Sequence, residues 1–299
     1  MDKSRLIRAV VDTPAKALLL PRPRRFGKTL NLSLLQTFFE RGKPEHAGLF
    51  EGLAITRAGE GYLAHRGRYP VVFLTLKDVK EESWDLCLEH LKDVIGDEFD
   101  RHAHLLAGDV LSQREKARYE AILSQSAPQH HYENSLEDLL HWLARAHGEQ
   151  VVLLMDEYDT PIHAGFQYGY HDKVARFMRN WLGAALKDNP ALERGVLTGI
   201  LRIAKESIFS GLNNLVVEGI LDPGPFADQF GFTEGEVERL LTGFGLSDAL
   251  PEVRDWYNGY RFGEVTLYNP WSLVNFIADR GIYHRSRSPS PPLDQHQRE

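Results

Sequence analysis

The sequence predicts an α/β protein: a parallel sheet covered by helices on both faces, followed by a small, mainly helical module. Three observations carry this expectation. Short apolar runs of strand character recur as far as about residue 221. Amphipathic helical patterns separate them, as in βαβ units. After Asp222-Pro223-Gly224-Pro225 the strand runs give way to helical patterns with capping signals.

Ala17-Leu18-Leu19-Leu20 is an apolar run that ends at Pro21 and reads as a buried strand. Pro21-Arg22-Pro23-Arg24-Arg25-Phe26-Gly27-Lys28-Thr29 is a loop of prolines and basic residues. Beyond it Leu30, Leu34 and Phe38 recur every four residues beside Leu35 and Phe39, which is the stripe of an amphipathic helix. Residues 70–76, PVVFLTL, are β-branched and aromatic and suit a second strand. Residues 81–147 are mostly helical in pattern, with breaks near Gly108 and Pro128. Their last helix starts at Ser135, carries Leu136, Leu139, Leu140 and Leu143, and ends at Gly148. Val151-Val152-Leu153-Leu154-Met155 then runs straight into Asp156-Glu157, the strongest buried-strand signal in the chain. A helix over about 172–186, a strand over 195–199 and a fifth strand over 215–221 complete this part.

Thr233 and Glu236 have capping-box spacing for a helix carrying Val237, Leu240 and Leu241. A second helix over about 247–257 stops at Asn258-Gly259, residues 260–268 form a short hairpin, and Asn269-Pro270 opens a helix to about Arg280. From His284 the stretch HRSRSPSPPLDQHQRE has one aliphatic residue in sixteen and is expected to be disordered. The expected organisation is an α/β domain over 1–222, a helical lid-like module over 223–282 and a disordered tail over 283–299.

Composition narrows the class. The chain has 299 residues, 42% hydrophobic and 26% charged, which is ordinary for a globular protein. Its 35 basic and 42 acidic side chains give a net charge of −7, so the surface as a whole does not favour nucleic acid, and only a local basic patch reverses that. The single cysteine, Cys87, cannot form an internal disulfide and reads as a small buried hydrophobe. No apolar run approaches the ~18 residues of a membrane span. The expectation is a cytoplasmic protein with no membrane partner.

Gly27-Lys28-Thr29, between a strand and a helix, is the end of the phosphate-loop pattern GxxxxGKS/T, or Walker A. Glycine lets backbone approach a phosphate, lysine reaches its β and γ oxygens, and the threonine hydroxyl ligates Mg²⁺. The pattern departs at its start, where Arg22 stands in place of the first glycine and Pro21 and Pro23 remove two backbone donors. Asp156-Glu157, at the end of an apolar strand, is the matching Walker B pair: Asp156 on the metal, Glu157 polarising water. Asp159 beside them reads as a cap for the next helix. One strand, near Val71, lies between the loop strand and the acidic strand, an order that suits the additional-strand ATPases.

The candidate catalytic residues are therefore Glu157, Lys28 and Thr198. Thr198 ends the next strand, where it is either a polar sensor or a threonine satisfied by backbone. The candidate nucleotide-binding residues are Arg24, Arg25, Phe26, Gly27, Lys28, Thr29, Leu30 and Arg202, and the candidate metal ligands are Thr29 and Asp156. Arg176 and Arg179 read as surface-helix residues, with fingers toward a second subunit as the alternative. The thirteen histidines match no zinc pattern with cysteine partners.

RPRRFGKT at 22–29, LLMDEYDTPI at 153–162, TGILRIAKESIFSGLNNL at 198–215, FGFTEGEVERLL at 230–241, and WYNGYRFG with LYNPWSLVNFI near the C-terminus together resemble the predicted AAA-ATPase-like family. This is a P-loop NTPase family, widespread in bacteria and often joined to a C-terminal PD-(D/E)XK nuclease-like domain. The resemblance covers residues 2–282. It implies a three-layer P-loop sandwich of the additional-strand type and Mg²⁺·ATP as ligand, with hydrolysis the expected activity and a protein partner or self-association unspecified. The family pattern itself carries the arginine-proline-arginine start; the physical reading is that Arg24 and Arg25 are there to supply phosphate contacts that the proline-stiffened backbone cannot. Departures lie at the ends. Asp2-Lys3-Ser4 resembles a segment normally preceded by sequence that helps bind the base, and SRSPSPP follows where the nuclease-like domain is expected, so a truncated or naturally short chain without nuclease function is anticipated. Two rival readings remain: a nucleotide-responsive interaction module with negligible turnover, and nucleic-acid binding through Arg22, Arg24 and Arg25.

Overall fold

The computed structural model describes residues 1–200, 208–209, 214–219, 222, 224–257, 259–262 and 265–287, with Ala47, Phe262 and the last seven by backbone alone. Arg202 and the tail beyond residue 287 lie outside the described residues. Five strands form one sheet: β1 (Ala17–Pro21), β2 (Val71–Thr75), β3 (Val151–Asp156), β4 (Leu192–Gly199) and β5 (Leu215–Val217). Their order is β2-β3-β4-β1-β5 and every pairing is parallel. This is the expected P-loop sandwich of the additional-strand type, with β4 inserted between the strand that leads into the basic loop and the strand that ends in Asp156.

Every residue of β1 and β3 is buried, because helices cover both faces; this is why these runs are uninterruptedly apolar. Side chains alternate between the two sides with a period of two. Leu19, Leu153 and Met155 face a core completed by Leu91 and Ile95 of the helix Trp84–Arg101, Leu139 and Leu143 of Ser135–His147, and Phe177 and Trp181 of His171–Leu186. Leu18, Leu20, Val152 and Leu154 face Leu35 and Phe38 of the helix Lys28–Phe39 and Leu6 and Val10 of the helix Arg5–Asp12. Cys87 is buried, as expected. Gly148 ends its helix in the left-handed region at φ 66°.

Several boundaries differ from the sequence reading. β4 starts at Leu192 rather than 195. The described part of β5 stops at Val217: Glu218 N–H still donates to Leu19, but the next amide, Gly219, is taken by the Asp222 carboxylate, which turns the chain off the sheet. The helix Arg5–Asp12, which the sequence reading does not include, has no side-chain cap; its signal is the apolar face of Leu6, Ile7, Ala9 and Val10, all buried. The final helix, Pro270–Arg287, continues past Arg280, so residues 283–287 are helical where the sequence predicts a disordered tail.

β6 (Phe232–Thr233), β7 (Tyr260–Phe262) and β8 (Val265–Tyr268) form a separate antiparallel sheet in the order β6-β8-β7. With Val237, Leu241, Val253 and Leu273 it builds a third apolar cluster. The expected Thr233/Glu236 capping box is present. Glu236 also receives Lys3 Nζ at 2.7 Å, which ties the start of the chain to this part. Among the described residues no helix is long and apolar enough to cross a membrane.

A second capping box, Ser112/Glu115, sets up a test by acid titration. Burial pushes the Glu115 carboxyl up, but bonds from Arg145, Ser112 and Trp142 outweigh it and hold it down to about 2. A depressed carboxylate stabilises the fold above its ordinary pKa near 4.5, and that stabilisation is lost as pH falls toward about 2. Glu115→Gln is therefore expected to lower the melting temperature by about 2–4 °C at neutral pH, from ~1 kcal/mol of capping, and by less at pH 2. Equal losses at both values would contradict the assignment.

Candidate functional site

The C-terminal ends of β1, β3 and β4 meet at one edge of the sheet. The register pairs Leu20 with Thr198 and Pro21 with Gly199, and Met155 with Leu197, so Asp156 emerges beside Thr198. From β1 the chain enters the basic loop, which ends at Gly27 with φ 80°. A Cβ there would meet nothing within 4 Å, so the left-handed backbone rather than crowding calls for glycine. Gly27 is the N-cap of the helix Lys28–Phe39 and no side chain caps that terminus. Its first-turn N–H groups therefore receive no side-chain cap, a terminus of the kind that suits an anion.

Two predicted residues, Thr29 and Thr198, close on a third, Asp156, which is 1% exposed. Thr29 Oγ1 donates to Asp156 Oδ2 at 2.5 Å, and Thr198 Oγ1 donates to Asp156 Oδ1 at 2.7 Å. The carboxylate is thus oriented by two hydroxyls, one from each flanking element. Lys28 is buried, with Nζ donating to the carbonyls of Arg22 at 3.3 Å and Pro23 at 3.2 Å. Burial lowers its pKa, against the pull of Glu157, Asp156 and Asp159, which favour the charged form. Glu157 is half-buried and holds a left-handed backbone at φ 51°, uncommon for a residue with a side chain.

A cavity of about 480 Å³ opens here. It is lined by Arg25, Gly27, Lys28, Thr29, Leu30 and Glu157 together with Pro270, Trp271 and Val274 of the final helix. Residues 1–209 match the model of the family described as predicted AAA-ATPase. The chain belongs to that family. A curated relative from Azotobacter chroococcum mcd 1, described as an uncharacterized protein in the vnfD 5' region, is 30% identical over 270 residues. The match takes in 87% of this chain and 45% of the relative, so the chain spans about half the length of the curated relative it matches.

Two residues of this AAA-ATPase-like chain depart from the sequence reading. Asp159 stands at the N-cap position of the helix Thr160–Tyr168, yet its side chain makes no cap bond. Its Oδ2 instead accepts the Ile200 amide at 2.9 Å, close against Gly199, where an added Cβ would lie 2.4 Å from Oδ1. A bond across the sheet edge outcompetes the local cap, and Gly199 provides the room. Arg22 is 1% exposed and donates to the carbonyls of Pro21 at 2.8 Å, Glu218 at 2.6 Å and Phe226 at 3.1 Å, with its guanidinium 4.9 Å from the Phe230 ring centroid. Burial lowers its pKa to about 10. Arg22 is therefore an internal brace between the loop and the segment after β5, and it offers no charge to a nucleic acid.

Arg24 and Arg25 are exposed, whereas Phe26 is buried. Asn269, read as a cap, does cap the final helix by accepting the Trp271 amide at 3.0 Å, and its Nδ2 also reaches the Arg24 carbonyl at 3.3 Å. Arg176 and Arg179 lie exposed on the helix His171–Leu186. The part played by Trp271 and Val274 in walling the cavity was missed; the only sequence signal was an aromatic next to an Asn-Pro helix start.

Proposed function

We propose that this chain binds ATP with Mg²⁺ at the Gly27–Thr29 loop end and hydrolyses it. The observation that carries the reading is the Thr29–Asp156 hydrogen bond beside a cavity that Lys28 and Glu157 also line. Residues 127 positions apart meet as a hydroxyl and carboxylate pair. That hard oxygen pair fits Mg²⁺, and the uncapped helix terminus fits a phosphate.

Thr29 and Asp156 are the residues that would hold Mg²⁺, which when bound neutralises charge on the phosphate oxygens. Thr198 keeps the Asp156 carboxylate turned toward Thr29. Lys28 transfers its ammonium from the loop carbonyls to the β and γ phosphate oxygens, and the neighbouring carboxylates favour its charged form. The helix terminus donates backbone N–H groups. Glu157, on its left-handed turn, accepts the proton of the attacking water. A cytoplasmic setting belongs to the same reading.

A second reading, a nucleotide-responsive module with negligible turnover, is favoured by the contacts between the basic loop and the final helix. Calorimetric titration with Mg²⁺ and ATP, followed by phosphate release, separates the two. The parent is expected to bind and turn over, and Lys28→Ala to weaken both by at least ~10-fold, since the ammonium touches phosphate in ground and transition states alike. Undiminished binding by Lys28→Ala would place the ligand elsewhere. Binding without phosphate release would favour the second reading.

A further inference from the structure

We propose that Trp271 is a positioning residue for Arg25, holding its guanidinium off the phosphate position until a triphosphate takes it, so that occupancy of the site is coupled to the final helix. The inference deepens the nucleotide-binding reading and rests on it. Arg25 Cζ lies 3.8 Å from the Trp271 ring centroid, and both residues line the cavity that Gly27, Lys28 and Thr29 enter. Trp271 is 52% exposed, so packing in the core does not account for the indole at this place.

The backbone around Arg25 supports a poised arrangement. Arg25 is left-handed at φ 66°, a conformation arginine adopts only when its surroundings hold it there. Both neighbours are held by the C-terminal part of the chain. The Arg24 carbonyl accepts from Asn269, and the Phe26 carbonyl accepts from Gly231 N–H at 3.1 Å. The Phe26 ring meets Tyr260 edge-on with centroids 5.0 Å apart. Gly231 leaves room for that ring, since an added Cβ would lie 2.8 Å from Phe26. Arg25 is thus the loop residue whose side chain faces the cavity while its flanks are fixed.

Chemistry sets the direction of the switch. An exposed cation–π stack is worth about two- to fivefold in an equilibrium. A charge-assisted bond from guanidinium to phosphate is stronger and can be bidentate. A bound triphosphate should therefore draw Arg25 away from the indole, and the stack should oppose binding by about its own strength.

The test uses Mg²⁺ with the non-hydrolysable analogue AMP-PNP, measured by calorimetry on the parent, Trp271→Leu, Arg25→Ala and the double variant. Leucine keeps an apolar side chain at an exposed position, so folding is not at stake. Trp271→Leu is expected to bind about two- to fivefold more tightly than the parent, and to change nothing in the Arg25→Ala background. In protein labelled with 5-fluorotryptophan, the ¹⁹F resonance absent from Trp271→Leu should shift on saturation with Mg²⁺·AMP-PNP and stay put with Mg²⁺ alone. Equal weakening by Trp271→Leu in both backgrounds would make the indole a plain ligand contact and overturn the proposal. So would an unmoved resonance at saturation. If the parent binds no AMP-PNP, the nucleotide reading itself fails, an outcome distinct from binding that leaves Trp271 unmoved.

Discussion

Glu157→Gln is expected to bind Mg²⁺·ATP about as tightly as the parent while releasing phosphate at least ~100-fold more slowly. Glutamine keeps the size of the side chain and tolerates the same backbone, so the left-handed turn at φ 51° should survive the exchange. What is lost is the carboxylate that accepts a proton from water, and positioned general-base catalysis contributes about 10²–10⁴-fold. Single-turnover phosphate release beside calorimetric binding reads the two quantities separately. Unchanged release would remove Glu157 from the chemistry. A parallel fall in binding would mean that Glu157 acts on the ground state, through its attraction for the Lys28 ammonium.

The second large effect concerns stability. Arg22→Gly restores the glycine that the usual loop pattern has at this position, yet it is expected to destabilise the fold by about 3 kcal/mol or more. The change strands the carbonyls that the buried guanidinium now satisfies and leaves a hole beneath Phe230. For a chain of this size that lowers the melting temperature by about 6 °C or more. Arg22→Lys should recover only part of it, because one ammonium cannot reproduce a planar fork. Thermal and urea unfolding, with the m-value unchanged, would check the effect. A melting temperature equal to the parent's would show that the arginine is kept for a ligand rather than for the fold.

Arg22 also shows where reading the sequence stops. Its position as the odd residue in the loop pattern is plain, but two of its three carbonyl partners lie 196 and 204 residues away, and backbone acceptors carry no sequence signature. The same holds for Asp159. The local rule that places an acidic residue at a helix start was sound, and it lost to an Ile200 amide that only the sheet brings near. By contrast Gly27-Lys28-Thr29 and Asp156-Glu157 were legible. Each sits at a strand end, where an uninterrupted apolar run stops at polar residues, and that transition is written in consecutive positions.

The sequence by itself determined the five strands of the parallel sheet, the helix that follows Gly27, and the residues at the strand ends, because burial on both faces and helical periodicity are local patterns. Only the tertiary structure decided three things. It turned the hydroxyls of Thr198 and Thr29 onto one carboxylate, within the strand order that the motif order already implies. It turned Arg22 inward, and it brought Trp271 to the cavity that Lys28 lines. The physical reason is common to all three: hydrogen bonds and ring contacts between distant segments depend on how those segments pack in space, and such pairings leave no periodic trace in the chain.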